Sequence, residues 1–132
     1  MPHFQIDYSA NLEPELDMAA FCETLRATAA QIEAFPTPGI RVRATRVDHY
    51  AIADGDEKHG FIDISVRLRA GRKQAVKEAA AQKLFDAAQE ALASLLAHRS
   101  VALSLEMRDI DPSLSPKTGT IRDHMKAAHV EP

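Results

Sequence analysis

The sequence has no tryptophan and a single cysteine, Cys22, so no internal disulfide can form. Cys22 falls among apolar residues at helical spacing and reads as packing rather than chemistry. No apolar run approaches the ~20 residues of a membrane span. The N-terminus also lacks the basic-then-apolar pattern of an export signal, so a cytoplasmic location is expected. Glycine is scarce and scattered, at Gly39, Gly55, Gly60, Gly71 and Gly119, and forms no phosphate-cradling loop. The six histidines show neither HExxH nor paired ligand spacing, and Asp54-Gly55-Asp56 lacks the remaining ligands of a calcium loop. No metal site is therefore expected. A net charge of −3 argues against a general nucleic-acid or membrane-binding surface.

What the 132 residues do contain is ordinary globular composition, 45% hydrophobic and 27% charged, in a length that suits one domain over 1–132. Phe4, Ile6 and Tyr8 alternate with Gln5, Asp7 and Ser9, which predicts a strand with one buried face. Pro2 shares the parity of the apolar set. Asn11-Leu12-Glu13-Pro14 reads as a turn-rich connection. Asp17 then suits a helix N-cap before Met18, Phe21, Cys22, Leu25, Ala29 and Ile32, which recur at spacings of three and four. Phe35-Pro36-Thr37-Pro38-Gly39 stops that helix.

Ile40, Val42 and Ala44 alternate with Arg41 and Arg43 in a second strand, whose phase slips near Arg46-Val47 as at a bulge or a strand end. Residues 61–69 give the cleanest alternation, and Gly71-Arg72 ends it. One helix is then expected over 73–98, with Val76, Ala80, Leu84, Ala88, Ala91 and Leu95 on its apolar face. Val101, Leu103, Leu105 and Met107 alternate with Ala102, Ser104, Glu106 and Arg108 in a fourth strand. The order strand–helix–strand thus occurs twice, in halves of about 1–58 and 59–110, followed by a tail, 111–132. Crossover helices join parallel strands. Two such units side by side give a four-stranded sheet with both helices on one face. The other face, bearing Gln5, Arg41, Arg43, Ser65 and Arg67, is left bare, which predicts a homo-oligomer with its sheets turned inward. In the tail, Thr120-Ile121-Arg122-Asp123 resembles a capping box ahead of a short helix.

Three features carry chemistry. Proline after the initiator methionine predicts loss of Met1, which would leave the secondary amine of Pro2 as the chain terminus. Burial and nearby cations both push such an amine toward its neutral form, able to accept and return a proton near pH 7. Arg41 follows a Pro-Gly turn at a strand start, and Arg72 follows Gly71 at a strand-to-helix junction. Two arginines at element ends suit a ligand with several carboxylates. Arg43, Arg46, Arg67 and Arg69 read as solvated surface charges.

The ordered set Met1-Pro2-His3-Phe4, Tyr8-Ser9-Ala10-Asn11, Phe35-Pro36, Gly39-Ile40-Arg41-Val42-Arg43, Ala53-Asp54-Gly55, Gly71-Arg72 and Ala102-Leu103-Ser104-Leu105-Glu106 resembles the 5-carboxymethyl-2-hydroxymuconate isomerases of the tautomerase superfamily. The resemblance implies an α+β, two-layer fold: a doubled β-α-β unit with a four-stranded mixed sheet. It also implies a homotrimer, no cofactor, a small polycarboxylate substrate and enol–keto isomerisation in homoprotocatechuate breakdown. The family's catalytic proline falls on Pro2 and its substrate-binding arginines on Arg41 and Arg72. The sequence departs from the family pattern at Lys73-Gln74, which replaces a hydroxyl cap, and in the length of its tail. Two other readings stay open at this point. One is a dehalogenase or decarboxylase on the same fold, with a cationic Pro2 as the acid. The other is a non-catalytic trimeric ligand-binding protein.

Overall fold

The computed structural model describes residues 1–130, with side chains through Lys126; Glu131 and Pro132 of the expected tail lie outside the described residues. The alternation at the chain start produces β1 (His3–Ser9), whose Phe4, Ile6 and Tyr8 point into the core. β1 is bonded on both edges. It pairs in parallel with β2 (Arg41–Val47) and antiparallel with β3 (His59–Arg69). β4 (Ser100–Ile110) pairs in parallel with β3, giving the order β2-β1-β3-β4. The sheet is mixed, and each parallel pair is joined by a helical crossover, as the doubled strand–helix–strand pattern requires. The β1–β2 ladder runs unbroken from His3–Arg41 to Ser9–Val47, so the phase slip at Arg46-Val47 marks the strand end and not a bulge.

The first crossover helix, α1 (Met18–Ala30), starts where Asp17 accepts a hydrogen bond from the Ala20 N–H at 3.0 Å. It buries Phe21, Leu25 and Ala29, and ends before Ile32. The second crossover departs from expectation. Instead of one helix over 73–98, α2 (Gln74–Ala91) and α3 (Ala93–His98) meet at a break on Leu92. The Leu92 N–H still reaches the Ala88 carbonyl, so the chain bends without leaving the layer. The buried row is therefore Ala80, Leu84, Ala88, Leu92 and Leu95, whereas Val76 and Ala91, expected on it, are exposed. Regular helical spacing accounts for Ala91: Leu92, four residues after Ala88, takes the next covered position. α1 and α2 pack against each other, and their apolar faces join Phe4, Ile6, Ile62, Ile64, Val66 and Leu68 in one core. α2 begins at Lys73 without a side-chain cap, as Lys73-Gln74 foretold.

The other sheet face is polar and laid out in rows. Arg41, His3, Arg67 and Arg108 form one, and Arg43, Gln5, Ser65 and Glu106 form the next. Gln5 bonds across its row to Arg43 at 2.5 Å, and Ser65 accepts from Arg108 at 2.9 Å.

The Tyr8-Ser9-Ala10-Asn11 segment extends the β1–β3 pairing past the end of its ladder at Tyr8–Ile62. Fully buried Ser9 accepts the Phe61 N–H on its Oγ at 2.9 Å. Asn11 donates through Nδ2 to the His59 carbonyl at 2.7 Å. From Ala10 the chain turns in a 3₁₀ segment (Ala10–Glu15) that drops Leu12 into the core. Gly60 makes room for it, since a Cβ there would stand 2.7 Å from Leu12 Cδ2. The Tyr8 hydroxyl closes the same corner on Glu13.

Ser9→Ala leaves a buried N–H without a partner, which costs about 1–3 kcal/mol. The expected outcome is a lower urea midpoint at fixed protein concentration, with the slope unchanged. An unchanged midpoint would show that Ser9 does not stitch the two strands.

Candidate active site

The central position of β1 brings the chain start, the β2 start and the β3 end to one edge of the sheet. His3 pairs with Arg41 on one side and with Arg67 on the other. Pro2 is fully buried, and its carbonyl accepts the Arg41 N–H at 3.1 Å. Its parity with the core residues of β1 therefore does place it in a dry setting. Met1 is next to it and only partly covered. Gly39, buried in the 3₁₀ turn Thr37–Gly39, lets the chain start come close: a Cβ at Gly39 would sit 3.2 Å from Met1 Cα and 3.4 Å from Pro2 Cδ.

Two adjoining clefts open here, of about 390 and 550 Å³. Met1, Arg41, Arg69 and Lys117 belong to the walls of both. The first adds His3 and Arg67, and the second adds Gly39, Arg72 and Arg122. Among the described residues neither wall contains an aspartate or a glutamate. Six guanidinium and ammonium groups thus line the two clefts with no carboxylate among the described residues of their walls, on a chain whose net charge is negative.

The arginines are oriented. Arg72 follows Gly71, whose φ of +119° turns the chain sharply out of β3. Its guanidinium donates to the Arg69 carbonyl at 3.0 Å and to the Ala34 carbonyl at 2.9 Å, tying the corner after β3 to the end of the α1 connection. A guanidinium has five N–H donors, so others stay free for a ligand. Arg41 Nη1 lies 3.3 Å from His3 Nε2 and 4.0 Å from the Met1 sulfur. Arginine can only donate, so His3 Nε2 is the acceptor and unprotonated. Burial, then Arg41, Arg67 and Arg43, hold the His3 pKa below its ordinary value, in keeping with that role.

The terminal amine of the chain responds in the same way. Its pKa is lowered first by burial and then by Lys117, Arg72, Arg69 and Arg41. In the chain with Met1 in place that amine belongs to Met1, and the Pro2 nitrogen is an amide. Among the described residues no group of three or more His, Cys, Asp or Glu side chains is arranged to hold a metal ion. No described helix is long and apolar enough to cross a membrane.

Pro2, Arg41 and Arg72, singled out from sequence, therefore stand at one place. Arg67 and Arg69, read there as surface charges, stand with them. Their outward parity on β3 was visible. That the β3 end lies beside the chain start follows only from the antiparallel β1–β3 pairing. Lys117 and Arg122 arrive with the tail, which returns across this edge through a turn at Pro112–Leu114 and packs α4 (Ile121–Val130) on the Thr37–Gly39 turn.

The chain matches the 5-carboxymethyl-2-hydroxymuconate isomerase family over residues 2–125. It is 31% identical to the 5-carboxymethyl-2-hydroxymuconate Delta-isomerase of Escherichia coli over 92% of this chain and 96% of that one. A crystal structure of a 5-carboxymethyl-2-hydroxymuconate delta-isomerase superposes with a TM-score of 0.87 at 34% identity, covering 95% of this chain and 93% of the other. A fused 4-OT symmetric trimer shares the fold alone, with a TM-score of 0.64 at 19% identity over 88% and 93% of the two chains.

Four cations act on the terminal amine through space, so salt should weaken their effect. The screening length falls from about 30 Å at 0.01 M to about 3 Å at 1 M. The pH midpoint for acylation of the terminal amine is expected to rise over that range. A midpoint that stays low at 1 M salt would assign the shift to burial alone.

Proposed function

This chain belongs to the 5-carboxymethyl-2-hydroxymuconate isomerase family, and on that premise we propose that it interconverts the dienol and 2-oxo forms of 5-carboxymethyl-2-hydroxymuconate, with Pro2 as general base, in homoprotocatechuate breakdown. It is an isomerase by family. The observation that carries the substrate assignment is the wall around the chain start, whose charged side chains among the described residues are all cationic, which suits a polycarboxylate.

In the proposed reaction Met1 has been removed and Pro2 carries the free amine. Burial and the surrounding cations favour its neutral form, as they do for the present terminus. The neutral nitrogen takes the proton of the 2-hydroxyl group. The O–H bond breaks, the carbonyl forms, and the electron pair moves along the conjugated chain. The same nitrogen, now protonated, returns a proton to carbon, so the step is balanced without an oxidant or a cofactor. Arg41 and Arg72 bind carboxylates and steady the charge that spreads through the dienolate. His3, neutral and accepting from Arg41, helps aim that guanidinium. The bare polar sheet face supports assembly of several copies, and the family resemblance makes a homotrimer the proposed form.

A direct ultraviolet assay with the hydroxymuconate tests this reading. Pro2→Ala keeps a primary amine, so kcat should fall about 10- to 100-fold, short of the full 10²–10⁴ of positioned acid–base transfer. Arg41→Ala should raise KM roughly tenfold or more while lowering kcat less. A base with a lowered pKa gives activity that rises with pH through that pKa and is lost below it; the opposite limb would make Pro2 an acid. Full activity in protein shown by mass spectrometry to keep Met1 would remove the amine from the mechanism.

A further inference from the structure

We propose that Lys117, carried over the site by the tail, is a substrate-binding residue that together with Arg69 seats a third carboxylate and so sets the preference for a tricarboxylate over a dicarboxylate. The inference rests on the isomerase reading for its substrate and on the geometry of the tail for its residue.

Lys117 borders both clefts, a position it shares among the described residues only with Met1, Arg41 and Arg69. It therefore faces the space where the two meet. No aspartate or glutamate among the described residues stands in either wall to neutralise it. Its place is fixed from both sides. Upstream, Asp111 accepts from the Ser113 N–H at 2.9 Å and from its hydroxyl at 2.6 Å, which sets the Pro112–Leu114 turn. Pro116 then restricts the backbone just before Lys117. Downstream, α4 packs on the Thr37–Gly39 turn beside Met1. An exposed lysine on a tethered strap is thereby kept over the chain start.

The other cations are distributed in a way that leaves this role open. Arg72 spends donors on the Arg69 and Ala34 carbonyls and keeps others for one carboxylate. Arg41 faces His3 and has a second edge free. These two account for the ends of a dicarboxylate. A carboxymethyl arm adds a third anion, and Lys117 with Arg69 provides the remaining pair of cations common to both clefts. His3, Arg67 and Arg122 lie further along one cleft each.

The test compares Lys117→Met and Lys117→Arg with wild type on two substrates, the carboxymethyl-bearing dienol and the same dienol without its arm, 2-hydroxymuconate. Assays are run well above the pH midpoint of the amine, so that a change in its protonation does not enter. Loss of one charge-assisted contact corresponds to roughly a 10- to 100-fold rise in KM for the tricarboxylate, with kcat held within about threefold. 2-Hydroxymuconate should be little affected, so the preference collapses, and Lys117→Arg should restore most of it. Equal losses on both substrates, or none on either, would overturn the proposal.

If wild type turns over neither compound, the isomerase reading has failed, and the seat is judged by calorimetry. Propane-1,2,3-tricarboxylate should then bind Lys117→Met at least about tenfold more weakly than wild type, with pentanedioate unchanged. Equal weakening, or none, would remove Lys117 from the seat.

Discussion

The backbone pairing of β1 is the constraint from which the site follows. Hydrogen-bonded on both edges, in parallel to one neighbour and antiparallel to the other, this seven-residue strand leaves the chain start no freedom of position. The first residues must lie where β2 begins and where β3 ends. The apolar parity of Phe4, Ile6 and Tyr8 then decides which face Pro2 joins. A proline nitrogen in a dry setting beside several arginines is thus a product of strand register, and no loop has to be shaped to bring them together. Register is strongly specified when one face is buried, because a slip by one residue turns every core side chain to solvent.

The charges at this edge run against stability. Elsewhere cations are matched on the surface: Arg26 with Glu23, Arg46 with Asp48, and Arg99 with Glu15. At the chain start guanidinium and ammonium groups face one another with carbonyls, a neutral imidazole and a thioether as partners. Like charges held together raise the energy of the folded state, and an anionic ligand relieves it. The same repulsion favours the neutral amine. On the proposed mechanism one arrangement therefore serves both recognition and proton transfer, through a single electrostatic potential.

Much of this was legible in the chain. Alternation located all four strands to within two residues at either end, and Asp17 marked the helix start it caps. Pro2, Arg41 and Arg72 were readable because each stands at a signal of its own: a chain start, a Pro-Gly turn and a glycine corner. The break at Leu92 was not readable, since Leu92 and Leu95 keep the buried row at helical spacing on both sides of it. Arg67 and Arg69 could be given a face but not a neighbour, because local spacing does not reveal that β3 returns beside the chain start. Lys117 was further out of reach. Its position depends on where a tail of prolines and serines comes back to the fold, and no periodicity encodes that.

Met1 occupies the ground between the two clefts, pressed against Gly39. On the proposed mechanism this makes the aminopeptidase that trims the nascent chain the last craftsman of the catalyst. Excision would do two things in one cut: it would uncover the nitrogen and vacate the room the proposed substrate must fill. Folding and competence are then separate achievements. A ribosome that outpaces its processing enzymes would yield well-folded but silent subunits, and each copy of the proposed trimer would count as many working centres as it has clipped chains.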